Sequence, residues 1–130
     1  MGSLWQAETY LKVKDMERAI GFYEKLLGIE VLSRYKNRWT SVLGAFGLYN
    51  PAFDIENNVE ITDFDRETVF GNNVIVVFHT DDIDEEHKRV KSIGARNVSD
   101  IMRINLAAPY RFFHFQDTEG NVIEVGQYDA

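Results

Sequence analysis

Cysteine is absent from the 130 residues. That excludes disulfides, thiolate nucleophiles, zinc fingers and iron–sulfur clusters. Any metal would have to sit on Glu, Asp, His or neutral oxygens. Proline occurs only at Pro51 and Pro109, and no Pro-, Gly- or Ser-rich stretch reads as a linker. Basic residues are the minority, 14 against 21 acidic, for a net charge of −7. They are scattered and form no stripe. An acidic surface repels phosphate backbones and anionic lipid, which argues against nucleic acid and membrane as partners. No apolar run approaches the roughly 18–20 residues of a membrane span. The start, MGSLWQAE, lacks a charged segment followed by an apolar one, so cytoplasm is the expected compartment. No glycine-rich phosphate loop is present: Gly44, Ala45, Phe46 and Gly47 lie inside a strand pattern with no helix after them. No nucleophile elbow appears either.

What is present is a globular mix, 45% apolar and 27% charged residues. A chain of this length folds as a single domain burying roughly two-thirds of its unfolded surface. Its most informative feature is an internal repeat. YLKVKDMERAIGFYEKLLGIEV (10–31) and VVFHTDDIDEEHKRVKSIGARNV (76–98) each run strand, acidic cap, helix, Gly, extended chain. Asp15 and Asp82 are 67 positions apart, Gly28 and Gly94 66 apart. Two copies of one unit sharing a core are expected.

The first helix is capped by Asp15, carries the stripe Met16, Ala19, Ile20, Tyr23, Leu26 and Leu27, and stops at Gly28. The second opens at Asp81 or Asp82, uses Ile83, His87, Val90 and Ile93, ends at Gly94 and should be the more exposed. Strands are predicted over 10–13, 30–35, 40–49 and 58–62. In the second half they are predicted over 74–78, 98–106, 111–115 and 122–125. The β-branched run 74–78 reads as a central buried strand. Residues 111–125 read as a hairpin around Asp117, Thr118, Glu119, Gly120 and Asn121. Stretches 50–57 and 63–73 read as the most flexible connections. The fold class is α+β: two tandem βαβββ modules, about 7–65 and 72–128, forming a shared curved sheet around a cleft.

This duplicated pattern resembles the vicinal oxygen chelate superfamily, which includes glyoxalase I, bleomycin-resistance proteins and extradiol dioxygenases. Three segments carry the resemblance in order: VKDMERAIGFYEKLLGIEVL (13–32), FHTDDIDEEHKRVKSIGA (78–95) and FFHFQDTEGNVIEV (112–125). It covers about residues 8–127. The closing hairpin departs from the family's usual Asp-Pro-Asp-Gly-Asn, with Thr118 for the proline and Glu119 for the second acid. Metal-dependent members place four ligands in the cleft. The resemblance maps these to Glu8, Glu60, Ile75 and Glu124, where two positions usually filled by His or Gln and by His carry Glu and Ile. It implies either of two things. One is a metal-independent protein that binds a small organic molecule. The other is a divalent-metal lyase or isomerase acting on vicinal oxygens, in which Glu8, Glu60 and Glu124 hold the cation and Glu60 or Glu124 moves the proton. It also implies a homodimer. A structural or regulatory ligand-sensing module is a third class.

The residues themselves leave alternatives. Glu60 and Glu124 also fit ordinary strand positions partnered by Lys12, Lys14, Arg34 or Arg111. His79 alternates onto the face of Ile75 and Val77; it fits a rim base, a displaced ligand, or a strand-end residue capping the second helix. His114 alternates with Phe112 and Gln116 and faces either cleft or solvent. His87 reads as a half-buried helix histidine. Trp39, Phe53 and Tyr110 sit at predicted loop or strand starts and are candidate cleft walls. An aromatic cleft with several carboxylates suits a flat or cationic organic ligand.

Overall fold

The computed structural model describes residues 2, 6–71, 74–105 and 108–129. The chain divides into two compact units, Met1–Val69 and Phe70–Ala130. Each contains one four-stranded mixed sheet and a long helix packed on one of its faces, giving two βαβββ modules of an α+β fold.

In the first unit the order is β1 (Thr9–Lys12), α1 (Met16–Leu27), β2 (Ser33–Tyr35), β3 (Trp39–Leu43) and β4 (Phe46–Tyr49). Two short helices follow, α2 (Pro51–Glu56) and α3 (Asp63–Arg66). The sheet runs β1-β4-β3-β2, with β1 parallel to β4 and the other pairs antiparallel. Helix α1 begins where the Asp15 carboxylate accepts the Arg18 N–H. It ends at Gly28, whose φ of 64° is left-handed and suits a residue without a Cβ. It buries Met16, Ala19, Ile20, Phe22, Tyr23 and Leu26, against Leu11, Thr40, Val42, Phe46 and Leu48 of the sheet's inner face. Phe22, outside the predicted stripe, is buried too, while Leu27 is half-buried.

In the second unit the order is β5 (Val76–His79), α4 (Ile83–Ser92), β6 (Met102–Asn105), β7 (Pro109–Gln116) and β8 (Val122–Tyr128), arranged β5-β8-β7-β6. Asp82 caps α4 by accepting the Glu85 N–H. Only Ile83 and Val90 of α4 are buried, so it is the more exposed of the two long helices. Its partners are Phe113, Phe115, Ile123 and Val125 on the sheet's inner face. The 111–125 hairpin forms, and its turn is fixed by the buried Asp117 carboxylate, which accepts the Glu119 and Asn121 N–H groups at 2.8 Å each.

Five predicted features need correction. Stretch 40–49 is two strands, because Gly44 at φ 52° turns the chain between β3 and β4. No strand covers 58–62; Asn58 at φ 56° breaks the extended chain and Thr62 leads directly into α3. The expected connections 50–57 and 63–73 contain α2 and α3, with Asn72 and Asn73 outside the described residues. Strand β5 is an edge, not a buried centre, because β8 pairs on one side only; Val77 is 46% exposed. Within 98–106 the strand is Met102–Asn105, and Leu106 lies outside the described residues.

Candidate functional site

Strand alternation gives each sheet a second face, turned away from its long helix. In the first unit this open face carries Tyr10, Lys12, Trp39, Ser41, Gly47 and Tyr49, as the register Tyr10↔Gly47, Lys12↔Tyr49 and Trp39↔Tyr49 requires. The Trp39 ring lies across Gly47: a Cβ there would stand 2.6 Å from the indole. Glycine is therefore what leaves the ring its berth. Tyr10 meets Trp39 edge-on at 5.4 Å and Tyr49 edge-on at 5.7 Å. Helices α2 and α3 close over one end of this face. They bound a pocket of about 230 Å³ lined by Tyr10, Arg38, Trp39, Tyr49, Asp54, Glu60, Ile61 and Asp65.

The charges in that pocket are unequal in freedom. Asp54 is 1% exposed. It accepts two hydrogen bonds from Arg38, at 2.6 and 3.0 Å, and one from the Tyr49 hydroxyl at 2.6 Å. The Arg38 bond holds its carboxyl below the usual range against the opposing effect of burial. The same pair raises Arg38. Burial, then the bond to Asp54, pushes the Tyr49 phenol well above its ordinary value. Asp65 pairs with Lys12 at 2.9 Å. Glu60 is exposed and has no hydrogen-bond or ion-pair partner among the described residues. The pocket thus combines three rings with one carboxylate that has no neutralising partner among the described residues.

The second unit's open face repeats this plan. Its register places Val77 and His79 beside Glu124 and Gly126, with Tyr110, Phe112 and His114 on β7. The Tyr110 ring crosses Gly126, where a Cβ would lie 1.7 Å from the hydroxyl oxygen. That path lets Tyr110 donate to Glu124 Oε2 at 2.7 Å, while His114 Nε2 lies 2.8 Å from Oε1. Burial, then this bond, raises the Tyr110 phenol well above its ordinary value. Tyr110 stacks on Phe112 at 5.8 Å, and His79 packs against Tyr110 and Tyr128. His79 does not cap α4; Asp82 does, and Thr80 Oγ1 accepts the Asp82 N–H. His87 is half-buried, its Nε2 2.7 Å from the Ser99 carbonyl and its ring edge-on to Phe113.

Comparison with known proteins places this architecture. Residues 6–125 match the Glyoxalase/Bleomycin resistance protein/Dioxygenase superfamily. The chain belongs to this superfamily. Over 94 residues, 68% of the chain, it is 27% identical to a probable chloroplastic lactoylglutathione lyase of Arabidopsis thaliana, but it spans only 26% of that protein's length. The antibiotic-binding protein TnmS3 of Streptomyces sp. CB03234 shares the fold, with TM-score 0.66 and 21% identity over 99% of this chain and 100% of that one. A lactoylglutathione lyase from Agrobacterium tumefaciens shares it too, with TM-score 0.65 and 18% identity over 95% of this chain and 92% of that one. One fold therefore carries both a binder and a lyase, and the residues must decide between them.

The four ligand positions expected from the resemblance divide between the units. In the first, Glu8 is exposed just ahead of β1, and Glu60 is exposed at the pocket's wall. In the second, Ile75 offers no ligand atom, and both oxygens of Glu124 already accept bonds from Tyr110 and His114. Among the described residues no group of three or more His, Asp or Glu could hold a metal ion. This donor set does not fit the superfamily's divalent centre. Of the residues singled out from sequence, Trp39 and Glu60 lie together at the first pocket. Tyr110, His114, Glu124 and His79 share the second unit's open face. Phe53 lines a different pocket, and Glu8 and Ile75 join neither group. Sequence reasoning missed Tyr10, Arg38, Tyr49, Asp54 and Asp65. The signal for Asp54 was available: Asn50-Pro51 is an N-cap followed by an N1 proline, which would have put a helix where a loop was expected.

Proposed function

We propose that this superfamily member binds a small organic cation without metal, in the first unit's pocket. One observation carries the reading: Tyr10, Trp39 and Tyr49 line a pocket on whose wall Glu60 is a carboxylate with no partner among the described residues. Ring faces attract cations, and a free carboxylate adds charge selectivity. At about 230 Å³ the pocket is smaller than the roughly 300 Å³ at which drug-sized sites begin, so the ligand or its inserted group is small. Arg38 does not oppose a cation, because Asp54 already neutralises it.

The test is calorimetric titration with phenyltrimethylammonium, with benzenesulfonate as an anion of similar size. The cation binds one per chain and the anion does not. Trp39→Ala weakens it about tenfold or more, and Glu60→Gln by about threefold to tenfold. Equal binding of the anion, or an unaffected Trp39→Ala, overturns the proposal. Similarity to a lactoylglutathione lyase favours a second reading, a divalent-metal lyase. Titration with Mg²⁺, Mn²⁺, Ni²⁺ and Zn²⁺ decides between them. Stoichiometric metal binding lost in both Glu60→Ala and Glu124→Ala ends the metal-free reading, and turnover of a vicinal-oxygen substrate by the metal-loaded protein then supports the lyase one.

A further inference from the structure

Helix α2 separates two pockets. It lends Asp54 to the one described above and Phe53, Glu56 and Asn57 to another, of about 420 Å³, completed by Lys36, Asn37 and Asn50. This volume is within the range of small-molecule sites. Its chemistry differs from that of the first pocket. Three of six lining side chains are primary amides, one is an aromatic ring, and the single cation and single anion cancel.

Each amide has spare capacity. Asn50 is 8% exposed; its Oδ1 accepts the Ala52 N–H, but its Nδ2 donates to no described residue. Asn37 accepts from Arg34 and keeps its own N–H groups. Asn57 donates from Nδ2 to the Phe53 carbonyl and keeps Oδ1 as an acceptor. Donors and acceptors therefore line one pocket with the half-buried ring of Phe53. That ring is braced edge-on by Tyr35 at 6.3 Å. Lys36 stands at the rim with φ 48°, a conformation that costs a lysine energy and that few non-glycine residues adopt. Its ammonium lies 5.5 Å from the Tyr35 ring centroid, and the Arg34 Nε bond to its carbonyl, 2.6 Å, holds the turn.

We infer that this second pocket binds a neutral sugar ring, stacked on Phe53 and hydrogen-bonded by the Asn37, Asn50 and Asn57 amides. Vicinal hydroxyls both donate and accept, as the three amides together do. The C–H face of a pyranose is apolar and flat enough to lie on an aromatic ring. A lining of zero net charge gives an ion no advantage over a neutral ligand.

The experiment is titration of the full chain with glucose, N-acetylglucosamine and maltose, followed by the side-chain amide resonances in ¹⁵N-resolved NMR. Glutamine serves as a polar zwitterionic control. Saturable shifts at Asn37, Asn50 and Asn57 with at least one sugar are expected. Asn50→Asp keeps the cap acceptor for Ala52 but replaces the donor by an acceptor, so it should fold normally and bind about tenfold more weakly, the worth of one hydrogen bond. Phe53→Leu keeps an apolar side chain without a ring and should also lose about tenfold. No saturable shift with any sugar at tens of millimolar overturns the inference. So does equal binding of glutamine, or an affinity unchanged in folded Asn50→Asp or Phe53→Leu.

Discussion

Gly126→Ala tests the packing of the second open face most directly. The new methyl would sit 1.7 Å from the Tyr110 hydroxyl oxygen, 2.3 Å from Cζ and 2.7 Å from Cε1. These atoms belong to the free end of a side chain, so Tyr110 swings away rather than the backbone breaking. The ring then loses its bond to Glu124 and its stack on Phe112. A hydrogen bond to a charged group is worth about 1.5–3 kcal/mol and an aromatic pair about 0.5–1.5 kcal/mol. Alanine in place of a strand glycine returns about 0.5–1 kcal/mol. The net is a destabilisation of about 2 kcal/mol, or about 6–10 °C in Tm at this chain length. Urea unfolding gives the magnitude, and ultraviolet phenolate titration gives the cause: the Tyr110 phenol should fall back toward its ordinary value. The sharpest check is a sign change. In a Tyr110→Ala background the clash is gone, and Gly126→Ala should stabilise by about 0.5–1 kcal/mol. Destabilisation of similar size in both backgrounds would refute the account.

Gly47→Ala should likewise expel the Trp39 ring from its berth. It should weaken phenyltrimethylammonium binding about as much as Trp39→Ala does, read by the same calorimetry. Asp54→Asn breaks a bidentate pair at a carboxylate 1% exposed; solvent reaches the 36%-exposed Arg38 side chain, so the cost should be about 2 kcal/mol rather than the 3–5 of a fully buried pair. Because the folded Asp54 value is lowered, its stabilisation is complete above the unfolded value of about 3.9 and is lost as pH falls through the folded one. Urea midpoints between neutral and acid pH should therefore fall less in Asp54→Asn than in the wild type. Tyr49 and Tyr110 are both raised, so their contribution is complete below about 10 and lost as pH rises beyond it. Tyr49→Phe and Tyr110→Phe should each flatten the alkaline fall in midpoint.

The starts of the two long helices and the end of the first were legible in the sequence because their chemistry is local. Asp15 and Asp82 cap by bonding N–H groups three residues on, and Gly28 takes a conformation that its neighbours alone dictate. Strand placement was less legible because it depends on partners far along the chain. The β-branched run at 74–78 has a buried-strand composition, yet β5 is an edge because β8, some 45 residues later, takes the central place. The pattern at 58–62 alternates correctly for a strand, but Asn58 and Thr62 redirect the chain into α3. The same redirection brings Glu60 to the pocket wall without a strand to carry it. Trp39 and Tyr110 were readable as strand starts beside a cavity or open face, whereas Arg38 and Asp54 acquire their meaning only from each other.

The register shows how far the duplication reaches. Tyr10 pairs with Gly47 as His79 pairs with Gly126, and Trp39 pairs with Tyr49 as Tyr110 pairs with Tyr128. In both modules a ring at the start of one strand crosses to a glycine on the next. The sequence hides this correspondence, because the helix caps are 67 positions apart while the glycines are 79 apart. The β7–β8 hairpin is longer than β3–β4, so Trp39 and Gly47 are separated by 8 positions but Tyr110 and Gly126 by 16. Spacing alone cannot align them; hydrogen-bond register does. Once aligned, the two faces share one berth and differ in what surrounds it. The first has Tyr10, the Arg38–Asp54 pair and Glu60, which has no partner among the described residues. The second has His79 and a Glu124 whose oxygens are already engaged. Of Glu60 and Glu124, only Glu60 has no partner among the described residues, which is why the proposed cation site is placed in the first module.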